Sequence, residues 1–193
     1  YNRSTGVFKE YNDFKEHFKT NPKFRYFIAK DSLLLMAHDR GLSIMEPDGQ
    51  LNHYRLSEHL SHLSNSYVAN NIKTITLGQS DSVWVGGNRG VSLFLLNKRR
   101  FVWQADISAY EHTTNNLVMS VCQDENYLYL GSYNNGIAVL DLHRKDSTGM
   151  PARDFRFINK LDGLPSDIIY AMLPSTTPGY IWAATGKGIS HFS

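Results

Sequence analysis

VWVGGNRGVSLFL, residues 83–95, reads as an apolar strand, a tight turn closing on Gly90 and a second alternating strand. The same phrase returns as LLLMAHDRGLSIM at 33–45, LYLGSYNNGIAVL at 128–140 and IWAATGKGISHF at 181–192. The closing glycines Gly41, Gly90, Gly136 and Gly188 are 49, 46 and 52 residues apart. A repeat of that length holding several short strands predicts propeller blades, because solenoid units are shorter or helical.

Working outward from residue 83, Ile72–Leu77 alternates before the phrase and Phe101–Gln104 follows it, which makes four strands. Polar turn residues such as Gln79-Ser80-Asp81 and Asn97-Lys98 separate them, as an antiparallel meander requires. The other repeats read alike, giving blades over 24–56, 72–105, 117–159 and 167–193. The last has three strands, whereas residues 1–12, with Thr5-Gly6-Val7-Phe8 and Tyr11, have the form of an outermost strand alone. The expectation is therefore an all-β segment over 1–193: about four four-stranded antiparallel blades, cut between third and fourth strands at both ends. It is either part of a longer propeller or a ring closed through its N-terminal strand, closure being one way to remove edges that pair with other molecules. Short helices are predicted at Asp13–Glu16, with Phe14 and Phe18 on one face, and at Ser57–Ser64.

Composition narrows function mainly by exclusion. The 193 residues are 41% hydrophobic and 20% charged, a globular balance, and a net charge of +2 with no basic run beyond Lys98-Arg99-Arg100 gives no argument for nucleic acid. The single cysteine, Cys122, lies in an alternating strand and reads as a buried structural thiol. No run approaches the roughly 18 apolar residues that span a bilayer, so a membrane enters only through segments outside this sequence. Glu58, His59 and His62 lack further metal ligands, Ser190, His191 and Asp39 form no triad by sequence, and the glycine turns do not lead into a helix N-terminus as phosphate loops do. No catalytic residue, metal or cofactor is assigned.

One set of residues suggests binding. Before the four glycines stand Arg40, Arg89, Asn135 and Lys187, with His38, Asn88, Tyr133 and Asn134 beside them. Equivalent turns of successive blades form a ring. Its cations would suit carboxylates or sulfates, and its amides and rings would suit sugar hydroxyls. The aligned Leu35, Trp84, Tyr129 and Trp182 read instead as packing between blades.

The stretch Leu164-Pro165-Ser166-Asp167-Ile168-Ile169, then Tyr180-Ile181-Trp182-Ala183-Ala184-Thr185, then Gly188-Ile189-Ser190-His191-Phe192 resembles the two-component regulator propeller repeat. Val83–Gly87 with Gly90–Phe94, and Tyr129–Ser132 with Gly136-Ile137, resemble it too. The resemblance implies a non-catalytic segment of the periplasmic sensor region of a hybrid two-component histidine kinase from Bacteroides-like bacteria. It implies an oligosaccharide ligand, which the cations of the turns extend to acidic ones, and the open blade edges suggest contact with neighbouring blades or with a second copy. A carbohydrate lyase or hydrolase, and a protein-binding scaffold, are the alternative readings.

Overall fold

The structure, a computed structural model, describes residues 14, 18, 21–59, 70–88, 90–107 and 117–193. Within them lie four antiparallel sheets whose strands follow sequence order. Blade 1 contains β1 (Phe24–Lys30), β2 (Leu33–His38), β3 (Gly41–Met45) and β4 (Leu51–Tyr54); blade 2 contains β5 (Ile72–Leu77), β6 (Ser82–Gly87), β7 (Gly90–Leu95) and β8 (Arg100–Asp106). Blade 3 contains β9 (Val118–Gln123), β10 (Tyr127–Ser132), β11 (Ile137–Asp141) and β12 (Phe155–Ile158), and blade 4 contains β13 (Ile169–Pro174), β14 (Ile181–Thr185) and β15 (Gly188–Phe192). This is an all-β propeller segment. The predicted helix at 57–64 begins as α1 (Leu56–His59), and its remainder, the helix at 13–16 apart from Phe14, and the strand in 1–12 fall outside the described residues.

Alternation along each strand supplies two apolar faces, and the blades stack through them around the inner strands β1, β5, β9 and β13. Leu35 and Ala37 of blade 1 meet Ile72, Ile75 and Val83 of blade 2 in one core; Trp84 and Leu93 of blade 2 meet Val118, Val121 and Leu128 of blade 3 in the next. Tyr129 and Val139 of blade 3 then meet Ile169, Met172 and Ile181 of blade 4. No core cluster joins blade 4 back to blade 1 among the described residues, within which the four sheets form an open arc.

The repeated glycine has a double reason to be glycine. At Gly41, Gly90 and Gly136 φ is +133°, +152° and +67°, a region that side chains disfavour, and an added Cβ would lie 2.3, 2.1 and 2.1 Å from a carbonyl oxygen of the fourth strand. Gly188 keeps the positive φ of +127°, but nothing lies within 4 Å of its Cβ position, because no fourth strand pairs with β15 among the described residues.

A second regularity was not anticipated from the sequence. The inner strand of every blade carries one extra residue in its pairing with the second strand, between Phe24 and Tyr26, Ile72 and Thr74, Val118 and Ser120, and Ile169 and Ala171. Such bulges bend and twist a strand and re-aim one side chain. Here the extra residues are Arg25, Lys73, Met119 and Tyr170.

Candidate functional site

Alternating strand direction puts the turns between second and third strands at the same rim as the connections from one blade to the next. Of the residues singled out from the sequence, His38 ends β2 and Arg40, Asn88, Tyr133, Asn134, Asn135 and Lys187 lie in those turns, which join the middle strands of each blade and stand one strand away from the inner edge. Tyr133, Asn134 and Lys187 are exposed, Arg40, Asn88 and Asn135 are half-buried, and Arg89 lies outside the described residues. The Arg40 guanidinium carbon sits 5.3 Å from the centre of the Phe18 ring, a cation over an aromatic face. The Asn135 N–H donates to Ser132 Oγ at 2.7 Å, so part of this motif builds its own turn.

His38 must be corrected. It is 1% exposed, Nδ1 accepts from the Arg40 N–H at 3.2 Å, and Nε2 lies 2.7 Å from Ser43 Oγ, which in turn lies 2.6 Å from His53 Nδ1. An acceptor at Nδ1 fixes the Nε2–H tautomer, so His38 donates to Ser43 and the hydroxyl donates onward to His53. The Phe18 and Phe24 rings pack edge-on against His38 at 5.4 and 5.6 Å. Burial first, then His53, brings its pKa down to about 4, so the ring is a neutral part of blade 1 and presents no group to a ligand.

The bulges bring forward two further cations on the inner strands. Arg25 and Lys73 occupy equivalent positions on the adjacent strands β1 and β5. Desolvation lowers the Lys73 pKa, with the Arg25 charge as the next cause. Sequence reading missed this pair because an extra residue in a strand leaves no mark on alternation until the pairing is known.

The opposite rim holds a groove of about 700 Å³ formed by the inner hairpins of blades 2, 3 and 4. Gln79, Gln123, Asp124, Glu125, Ser175 and Tyr180 line it, along with backbone of the three turns, and none of the seven described residues above does. Each turn is held by its own chemistry. Asp124 Oδ1 accepts from the Asn126 and Tyr127 N–H groups at 2.8 and 2.7 Å, and Oδ2 accepts from the Tyr129 hydroxyl at 3.0 Å. Burial, and then that pairing with Asp124, push the Tyr129 phenol well above its ordinary pKa. In the third turn the Ser175 N–H donates to the Tyr180 carbonyl at 2.8 Å, Tyr180 N–H returns to Thr177 O at 3.2 Å, and Pro174 and Pro178 stiffen the path.

Two bonds brace the first two turns against each other. Trp84 Nε1 donates to Gln123 Oε1 at 2.7 Å, and Gln79 Nε2 donates to the Glu125 carbonyl at 3.2 Å. Between blades 3 and 4, the Met172 N–H donates to Ser120 Oγ at 2.9 Å. Cys122 is buried, and burial pushes its thiol up to about 12, which keeps it protonated and poorly nucleophilic. Among the described residues no group of three or more His, Cys, Asp or Glu side chains could hold a metal ion, and no helix is long and apolar enough to cross a membrane.

The fold is similar to several solved structures. The extracellular domain of the putative hybrid two component system BT3049 from B. thetaiotaomicron matches 99% of this chain and 23% of its own, with 22% identity and a TM-score of 0.66. The corresponding domain of BT4673 from the same organism matches 89% of this chain and 20% of its own, with 15% identity and a TM-score of 0.62. The computationally designed Ika4 protein matches 88% of this chain and 90% of its own, with 11% identity and a TM-score of 0.60. The chain thus spans about a fifth of the two bacterial domains. No family model and no curated protein matches the sequence.

Proposed function

We propose that this chain is a non-catalytic, ligand-binding segment of the extracellular or periplasmic sensor region of a hybrid two-component system, responding to an oligosaccharide. The observation that carries the reading is a groove shared by three successive blades. A ligand seated there touches Gln79, Glu125 and Tyr180 at once, so it binds one relative setting of blades 2, 3 and 4 better than others. Differential affinity of that kind shifts a conformational equilibrium and requires no chemical conversion. The likeness to two extracellular two-component domains supports the same reading at the level of fold.

The test is binding without turnover. Isothermal titration of the purified chain with oligosaccharides should give saturable heats, and chromatography of the recovered sugars should show them unchanged. Cleavage or elimination of a glycan would replace the sensor reading with an enzymatic one.

The free face of blade 4 supports a further contact, with a following blade. Leu173, Trp182 and Ile189 are 67%, 45% and 73% exposed, and Trp182 occupies the position at which Trp84 and Tyr129 pack against the next inner strand. Those inner strands offer an apolar pair three residues apart: Ile72 and Ile75, Val118 and Val121, Ile169 and Met172. A fifth sheet with that spacing would cover the face as the others are covered.

A further inference from the structure

We propose that the groove at the hairpin rim selects an uncharged, hydroxyl-rich ligand and discriminates against anionic ones; this rests on the ligand-binding reading above and adds its chemistry. Among the described residues the lining carries two carboxylates and no lysine, arginine or histidine; His143 and His191 border it, engaged with Asn126 Oδ1 at 2.8 Å and Ser175 Oγ at 3.1 Å. The Asp124 oxygens are already engaged by two backbone N–H groups and the Tyr129 hydroxyl, so they hold the turn. Glu125, exposed to solvent, is the remaining charge. What else faces the groove is neutral: the amides of Gln79, Gln123 and Asn126, the hydroxyls of Ser175 and Thr176, and the Tyr180 ring.

Amides and hydroxyls donate and accept in the pattern that sugar hydroxyls need, and they do so without the desolvation cost of a charged group. An anion entering the groove would lose water and meet the Glu125 carboxylate, while the Lys30 ammonium beside the first turn is already held by the Ser80 carbonyl. Tyr180 supplies a flat apolar surface for one face of a sugar ring: it is 38% exposed and its ring leans on His191 at 4.9 Å, which limits its rotation. The volume of about 700 Å³ falls within the range of pockets that enclose small ligands. The bracing across blades 2 and 3 means that this wall is set before the ligand arrives, so less binding energy is lost in ordering it.

The polarity of the two rims sharpens the assignment. Arg25 and Lys73 stand at the other end of the inner strands, so an anionic sugar would be drawn to the end away from the groove. Charge on the ligand therefore predicts which rim it occupies.

The experiment titrates the chain with uncharged probes (cellohexaose, xylohexaose, mannohexaose and maltohexaose) and with anionic ones (a galacturonate hexamer and a heparin hexasaccharide), reading backbone amide shifts by NMR. At least one uncharged hexaose should shift Gln79, Glu125 and Tyr180, Tyr180→Ala should weaken it tenfold or more, and the Arg25→Ala, Lys73→Ala double variant should leave it unchanged. Tighter binding of an anionic probe that shifts Gln79, Glu125 and Tyr180 and persists in the double variant would overturn the selectivity and leave the sensor reading standing. No shift with any probe, or chemical conversion of a probe, would overturn both. Glu125→Gln gives an independent readout: the galacturonate hexamer should then shift Gln79 and Tyr180 with an affinity raised about fivefold or more, and unchanged or weaker anion binding at the groove would overturn the discrimination assigned to that carboxylate.

Discussion

The two ends of the arc carry similar strands and meet different fates. At blade 1 the face turned away from blade 2, with Phe24, Leu34, Met36, Met45 and Leu51, is covered by Phe14 and Phe18, themselves 8% and 3% exposed. At blade 4 the face turned away from blade 3 leaves Leu173, Trp182 and Ile189 in solvent, with Trp182 stacked on His191 at 3.9 Å between ring centres. Burial is thus a property of the neighbour and not of the strand. Phe14 and Phe18 close the first face, so stacking a second copy of the arc onto blade 1 would require them to leave.

The strongest way to break this comparison is to change the same strand position in two blades. Trp84→Ala should cost about 3–5 kcal/mol in urea unfolding, because a buried ring against Trp103 is lost and Gln123 forfeits its donor. A cost below 1 kcal/mol would show that blades 2 and 3 are not held through this residue. Acid comes next. His38 titrates near pH 4 when folded and near 6.5 in the unfolded chain, so the unfolded state takes up the proton first. Stability should therefore be full above about pH 7, fall as pH drops from 6.5 toward 4 by about 3 kcal/mol, and level off below. His38→Gln should flatten that slope; an unchanged slope would assign the acid sensitivity elsewhere than the covered face of blade 1.

Gly131 tests the junction beside the bare face. A Cβ there would lie 2.6 Å from Ile169 Cγ2, so Gly131→Ala should destabilise by about 1–3 kcal/mol and loosen blade 4, read as faster amide exchange in β13. Uniform protection across all blades would contradict a separable fourth blade. Smallest of all, Trp182→Ala should change the unfolding midpoint of this chain by no more than about 0.5 kcal/mol, since its exposed ring has little packing to lose. The same substitution should cost several times more once a following blade is present, and equal costs in both contexts would remove the proposal that this face seats one.

Much of the fold was legible because glycine and alternation leave marks in sequence. Gly41, Gly90 and Gly136 are spaced by the period because each must pass beneath a fourth-strand carbonyl, and Leu35, Trp84 and Tyr129 align because each plugs into the next inner strand. The same alignment predicted burial for Trp182, where no following sheet lies among the described residues to provide it. The candidate site was much less legible. Polar residues at a turn look alike whether they face a ligand or bond their own backbone, as Asn135 does with its N–H. The groove residues carry no repeated signature, since three unlike turns build it: a glycine turn at 78–81, an Asp124-capped turn and a proline-bearing loop at 174–180.

By itself the sequence determined the blade: its strands, its turn, its closing glycine and the identity of the two faces, all of them consequences of local sterics and of a period of two. Tertiary structure decided which of those faces is buried, which rim is cationic and where three turns leave a groove. Those outcomes depend on strand register and on the sheet that comes next, and a one-residue bulge such as that at Arg25 or Lys73 moves a charge to a new place without altering the pattern from which the blade is read.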